Sequence, residues 1–268
     1  MKIWYQSFTR AELYPTYNGA LRNLLNGLQG RATQVDVHFL EKTGGMGTQY
    51  HYLEHLQISE VLENVEKAVE QGYDAFAIGH FTDSGLQAAR EIASIPVLGL
   101  GEASMLLACM MGKKFSLVGI NPKSLVYVSE LVHAYGLDHR LATTEAMAFD
   151  PALLEQGFHD VQIRQRIVES FNKAAQITVK RGGEVIIPAG GVAMAVMAVA
   201  GVHLTPCGAS ILNGIAGLVK MSEMAVHMNQ FMDGHFTSKR MSYAPPSLAE
   251  MEGIKRYYHE HVYRSVKR

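Results

Sequence analysis

Two cysteines and one tryptophan are all that the 268 residues contain, and neither sign of charge is in excess: 24 Lys and Arg stand against 25 Asp and Glu, a formal net charge of −1. So few cysteines exclude a disulfide framework. A near-neutral chain has no global field to hold a nucleic-acid backbone or an anionic membrane, so neither is expected as a partner. Long hydrophobic runs are missing as well. The longest stretch poor in charge, Val185 to Val219, is interrupted by Pro188, His203, Pro206 and several glycines, and reads as core elements instead of a bilayer span. The first residues, MKIWYQSFTR, carry no apolar run of the signal-peptide kind. What is present is 48% apolar residues with 25 glycines, enough for a large core linked by tight turns. A cytoplasmic α/β protein is the expectation.

Short runs rich in Val, Ile and Phe alternate with longer helical patterns. Strands are predicted at Lys2–Tyr5, Gln34–Leu40, Ala75–Gly79, Ile95–Leu100, Phe115–Ile120, Glu184–Ala189 and Val202–Thr205. Helices are predicted at Ile58–Gln71, Gly85–Ala93, Met105–Met111, Ile163–Lys180 and Ile211–Met228. Gln34–Leu40 alternates with period two, as a partly exposed strand does, whereas Ala75–Gly79 and Ile95–Leu100 are uncharged, as parallel strands covered on both faces are. Strands alternating with helices predict βαβ units and a parallel sheet. The order also repeats. AFAIGHFTDSGLQAAREIASIPVLGLGEASMLLACM and EVIIPAGGVAMAVMAVAGVHLTPCGASILNGIAGLV follow one plan, and so do MKIWYQSFTRAEL and FSLVGINPKSLVY. The expected fold is therefore α/β, in two pseudo-symmetric lobes, each a parallel sheet flanked by helices, with the active cleft between them. The first lobe would span residues 1–113, with the chain returning to it from the C-terminal part, and the second residues 114–231. Residues 232–268 would form an extended segment, around YAPP, and a charged helix to about Tyr263, opened by a capping box at Ser247 and Glu250.

Ligands of parallel sheets sit beyond the carboxyl ends of the strands. The turn after Ala75–Gly79 puts His80, Thr82, Asp83 and Ser84 there, just before a helix start. Imidazole is the side chain best suited to move protons near neutral pH, which makes His80 the catalytic candidate. The plainer alternative is a helix cap by Asp83 or Ser84. The matching turn of the second lobe, Ala189-Gly190-Gly191, has no titratable group but can offer N–H donors at a helix start. Asn121, before Pro122, and Cys207, after Val202–Thr205, end other strands; Cys109 lies inside the apolar LLACMM and reads as core, as do the methionine-rich segments. His51-Tyr-Leu-Glu54-His55 fits a zinc-binding spacing, but no third ligand segment stands out. TGGMG, from Thr43 to Gly47, lacks the context of a phosphate loop, and His259-Glu-His261 reads as a solvated helix face.

Several of these pieces stand together: His51-Tyr52, AFAIGHFTDSGLQAARE, IPVLGLGEASM and GKKFSLVG, then EVIIPAGGVAMA and ILNGIAGLVKMSE. As a set they resemble the hydantoin racemase branch of the aspartate/glutamate racemase superfamily, over residues 1 to about 230. That resemblance implies a two-lobed α/β fold that binds a small carboxylate or cyclic amide between the lobes. It also implies two cysteines, one per lobe, that remove a proton from one face of a carbon acid and return one to the other. This chain departs at both positions, with His80 at the first and Ala189 at the second; Cys109 and Cys207 match neither. Tyr5, Gln6 and Ser7 stand where the family carries a substrate-binding Asn, Glu102 falls inside a matching motif, and Asn213-Gly214 where the family has a polar pair.

The expected function is cofactor-independent acid–base chemistry, racemase-like or lyase, on such a substrate. His80 would carry the proton; Thr82, Ser84 and the Gly190 and Gly191 amides would hold an anionic group. The alternatives are a hydrolase using His-activated water or a Ser/Thr nucleophile, and a non-catalytic relative that only binds its ligand. An even-numbered homo-oligomer is the default expectation.

Overall fold

The computed structural model describes residues 1–28, 30, 32–45 and 50–257. Two four-stranded parallel sheets carry the fold. The first contains β1 (Lys2–Gln6), β2 (Gln34–His38), β3 (Ala75–Ile78) and β4 (Val97–Gly99), in the order β2-β1-β3-β4. The second contains β5 (Phe115–Gly119), β6 (Leu141–Ala146), β7 (Val185–Pro188) and β8 (Ser210–Ile211), in the order β6-β5-β7-β8, the same plan again. Helices α1 (Pro15–Leu28), α2 (His51–Glu70), α3 (Leu86–Ile92) and α4 (Leu100–Met111) go with the first sheet in chain order. They are followed by α5 (Pro122–Ala134), α6 (Val161–Lys180), α7 (Gly191–Val199), α8 (Gly214–Phe231) and α9 (Leu248–Tyr257). The architecture is thus α/β in two lobes, and α8 returns to lie against α4, β3 and β4.

Strand alternation explains the two cores. Ile3, Tyr5, Ala75 and Ala77 point into a large cluster continuous with the second lobe, while Trp4, Phe76 and Ile78 point into a smaller one under α2 and α3. With both faces covered, the inner strands have no room for charge. The edges differ. β6 is half-buried along its whole length, so Thr143, Thr144 and Glu145 replace the apolar signal and the sequence reading passes over it.

Val202–Thr205 is not a strand. Within it only Leu204 bridges, antiparallel, to Ser210, and the ladder partner of β7 is Ser210–Ile211. Pro206 offers no N–H to extend a ladder. The next helix starts at Gly214 instead of Ile211, because Asn213 caps it, its Oδ1 accepting the Ala216 N–H at 3.2 Å.

In the tail, Lys239 Nζ donates to the Ala93 carbonyl (2.6 Å) and the Glu91 carbonyl (3.2 Å) at the C-terminal end of α3. The capping box at Ser247 is present: its N–H donates to Glu250 Oε2 (2.9 Å), and the Glu250 N–H returns to Ser247 Oγ (3.3 Å). The expected continuation of this helix to Tyr263, with His259 and His261, lies outside the described residues, as do residues 46 and 47 of TGGMG. The methionines divide: Met105, Met194 and Met197 are core, whereas Met110, Met224 and Met228 are exposed on α4 and α8.

One close approach fixes where β3 ends. A Cβ at Gly79 would meet the Tyr5 ring at 2.5–2.7 Å, and Tyr5 is fully buried with nowhere to move. Gly79→Ala is therefore expected to lower unfolding stability by about 1–3 kcal/mol through overpacking. A denaturant titration checks this, and a midpoint equal to wild type would show that Tyr5 can give way.

Candidate active site between the lobes

The turns that follow the two inner strands of each sheet converge on one cleft. They are Ser7–Thr9 after β1, Gly79–Thr82 after β3, Ile120–Asn121 after β5 and Ala189–Val192 after β7. Tyr17 of α1 and Tyr127 of α5 complete the titratable lining among the described residues.

His80 is partly buried, stacked on Phe8 with ring centroids 4.5 Å apart. Its Nδ1 lies 2.8 Å from both Ser84 Oγ and Thr82 Oγ1. Each hydroxyl owns one proton, and both protons are already committed. Thr82 Oγ1 donates to Glu54 Oε1 at 2.6 Å, and Ser84 Oγ donates to the same oxygen. The two hydroxyls can then only accept from Nδ1, so the network assigns the tautomer: Nδ1 carries hydrogen and Nε2 keeps its lone pair. Burial pushes the imidazole below its usual pKa, with the Glu54 carboxylate pulling partly the other way. Burial pushes the Glu54 carboxyl up, but the Ser84, Thr82 and Tyr127 hydroxyls and the His80 charge together outweigh it, and the group ends below the ordinary carboxylate range. A neutral imidazole oriented in this way through hydroxyls by an ionised carboxylate has the chemistry to serve as a general base.

Asp83 does not cap the helix that follows it; Gly85 stands at the N-cap of α3. Asp83 caps α4 instead, accepting the N–H of Gly101 (2.8 Å) and Glu102 (2.7 Å) and the hydroxyl of Tyr135 from the second lobe (2.7 Å). Burial raises this carboxyl to about 7 against those three donors.

Of the residues expected from sequence, His80, Ser7, Thr82, Asn121, Ala189, Gly190 and Gly191 line the cleft, and Ser84 supports His80 from behind. Asn121 is also the N-cap of α5, its Oδ1 accepting from Ser124 N–H at 2.9 Å. Four others do not reach the cleft. Tyr5 is packed beneath Gly79. Gln6 is buried, accepting from Trp4 Nε1 and Asn64 Nδ2 at 3.0 Å each. Both lie within β1, and only the turn beyond a strand faces the ligand. Glu102 is held in a two-pronged ion pair by Arg90, with Nη1 to Oε1 at 2.9 Å. Cys207 is exposed on the loop between α7 and β8, outside the cleft, and Cys109 is partly buried in α4.

Two further corrections concern the second lobe. Gly79 N–H donates to the Gln6 carbonyl (2.9 Å), and Ala189 N–H donates to the Val118 carbonyl (2.8 Å). Gln6 pairs with Ile78 as Val118 pairs with Pro188, so Gly79 corresponds to Ala189 and His80 to Gly190. The mate of His80 is thus Gly190; the run Pro-Ala-Gly-Gly has no landmark that fixes this offset. Gly190 N–H is also spent on the Pro188 carbonyl (2.9 Å), which leaves the first-turn amides of α7, at Gly191 and Val192, as the donors of this wall.

Glu54 is the member of the His80 network that sequence reasoning missed. It sits with His51 and His55 in the zinc-like spacing, yet His51 stacks on Tyr127 (3.9 Å), His55 is exposed and Glu54 is taken by the two hydroxyls. No group of three or more His, Cys, Asp or Glu able to hold a metal occurs among the described residues, nor any helix long and apolar enough to cross a membrane.

The Asp/Glu/Hydantoin racemase family model matches residues 20–214. The chain belongs to the Asp/Glu/hydantoin racemase family. It is 38% identical to a hydantoin racemase of Pseudomonas sp. (strain NS671) over 109 residues, 41% of this chain and 43% of that one. To a hydantoin racemase of Rhizobium meliloti it is 28% identical over 202 residues, 75% of this chain and 78% of that one. Among solved structures, allantoin racemase from Klebsiella pneumoniae superposes with a TM-score of 0.76 at 26% identity, covering 92% of this chain and 94% of that one.

The His80 network predicts a pH profile. With neutral imidazole as the active form, activity should rise with pH through an acid limb below the ordinary 6.5. Glu54→Gln removes the charge that holds the ring's pKa up, so that limb should move to lower pH, while kcat falls by about tenfold or more as Nδ1 loses its oriented acceptors. A kcat/KM–pH series on both proteins reads this; an acid limb that stays in place would separate Glu54 from His80.

Proposed function

We propose that this chain is a cofactor-independent racemase acting on a small cyclic amide or carboxylate with an acidic C–H, in which His80 is the base. The observation that carries the reading is the contact set of His80 at the cleft: its Nδ1 lies 2.8 Å from two hydroxyls that both reach Glu54 Oε1, an arrangement that leaves Nε2 as the basic nitrogen. A proton α to a carbonyl is removed by Nε2. The oxyanion that develops is met by the first-turn amides of α7 at Gly191 and Val192. Thr82 and Ser84, bound up with His80 and Glu54, act as orienting groups and not as the anion clamp expected from sequence. Membership in the family and relatives named hydantoin racemase and allantoin racemase support 5-substituted hydantoins as the first substrates to try.

A lyase reading is favoured by one feature: Ala189 and Gly190, across from His80, bear no titratable side chain. A single carrier suffices where C–C cleavage leaves a carbanion to protonate once. Polarimetry on single-enantiomer 5-alkylhydantoins and gas release from arylmalonates separate the two.

His80→Ala is expected to lower racemisation by about 10²–10⁴-fold with folding retained. Unchanged turnover would remove His80 from the chemistry. Iodoacetamide is expected to leave wild-type activity intact, because neither thiol lines the cleft. Rapid inactivation that Cys207→Ser abolishes would mean a thiol takes part.

A further inference from the structure

Racemisation needs a proton returned on the face opposite to the one attacked, and the mate of His80 is a glycine. Two other titratable side chains line the cleft, Tyr127 and Tyr17. Tyr127 belongs to the flank of His80: its pKa is pushed up by burial and then by the Glu54 carboxylate beside it, and its ring stacks on His51 of α2. Tyr17 rises from the floor between the two walls, its hydroxyl hydrogen-bonded to Ser7 of the first lobe. Although it lies early in the chain, the first turn of α1 is docked on the second lobe. There the Glu155 carboxylate accepts the backbone N–H of Thr16 (3.1 Å) and of Tyr17 (3.3 Å), and the Tyr17 ring packs against Phe158 at 5.5 Å. A methyl group built on Gly191 would lie 3.5 Å from Tyr17 Oη and 3.5 Å from the Gly79 carbonyl, so the phenol sits at the floor where the two lobes meet. Burial pushes its pKa up, which keeps the proton on oxygen at neutral pH.

We propose that the Tyr17 hydroxyl is the second proton carrier of the cleft, delivering its proton to the face of the substrate carbon opposite His80. The inference rests on the racemase reading and deepens it. In one direction the C–H bond breaks as N–H forms at His80 Nε2. The electron pair passes into the enolate, and then returns to carbon as Tyr17 O–H breaks and a new C–H forms on the far face. The protein is left with imidazolium and phenolate, the state that serves the other enantiomer, and one proton passing from His80 to Tyr17 through solvent resets it. No other reactant is consumed.

The test uses one enantiomer of 5-benzylhydantoin in deuterium oxide, reading α-deuterium incorporation by NMR and optical rotation in parallel. Wild type should exchange and racemise, and its rotation should overshoot zero before settling, because the product carries deuterium and reacts back slowly while the remaining substrate still carries hydrogen. Tyr17→Phe should keep exchange within a few-fold, with retention of configuration, while racemisation falls by at least about 10²-fold. His80→Ala should lose both. Racemisation at the wild-type rate in Tyr17→Phe overturns the proposal and spares the racemase reading. So does equal loss of exchange and racemisation at an unchanged melting temperature. Should Tyr17→Phe not fold, the wild-type rotation curve decides, and absence of overshoot overturns two carriers. A wild type that neither exchanges nor racemises any of a panel of 5-alkylhydantoins and allantoin overturns the reading and this inference together.

Discussion

One carboxylate oxygen, Oε1 of Glu54, determines what His80 can do. It accepts both hydroxyl protons of the turn, from Thr82 and from Ser84, and so turns two ambiguous donor–acceptors into pure acceptors facing Nδ1. Without that oxygen the hydroxyls could equally donate to Nδ1, and the lone pair would be buried against them instead of facing the ligand. The arrangement performs with hydroxyl intermediaries what a carboxylate bonded directly to a histidine does elsewhere. It has the further effect that the negative charge sits one bond farther from the ring. The Coulombic pull on the imidazole is accordingly weaker than the burial that opposes it.

That network needs the turn after β3 held rigidly, and Asp83 does so. Its backbone lies in the left-handed region, at φ 52, a conformation that costs a non-glycine residue about 1 kcal/mol. The side chain this geometry directs accepts from two amides of α4 and from Tyr135, so the strained backbone aims the carboxyl at three donors. Gly101 must lack a Cβ for α4 to start this close, since one would overlap the Phe81 carbonyl. Because Tyr135 caps the C-terminal end of α5, the same carboxylate ties the His80 turn to the second lobe.

The architecture was legible in the sequence because its inner strands are uncharged runs set in a repeated order. The edges were less so: β6 carries threonines and a glutamate on a half-buried rim, and β8 is only Ser210–Ile211, too short for any periodicity. Within the site, Ser7, His80, Asn121 and the Ala189–Gly191 turn follow from the rule that ligands lie beyond parallel strand ends. Glu54 and Tyr17 do not, because they come from helices, Tyr17 lining the cleft and Glu54 backing the His80 turn, and no strand-end rule applies to them. A signal for Glu54 did exist: with Gln57 and Val61 it forms an i, i+3, i+7 series on the inward face of α2, where an acidic side chain calls for partners. The zinc-like spacing of His51, Glu54 and His55 drew attention to the right residue for a different chemistry.

Equal strand order in the halves makes the positions past β3 and β7 a pair of homologous addresses, occupied by His80 and Gly190. The scaffold around each address is its own: one is tied down by Asp83, the other by the amides entering α7. At Gly190 the backbone is extended, at φ 166, and the nearest atom to an added Cβ is the mobile tip of Ile120, 3.4 Å away. Evolution can therefore edit one wall without disturbing its twin. A doubled scaffold of this kind lets stereochemical outcome drift by single substitutions while the architecture that frames it stays intact.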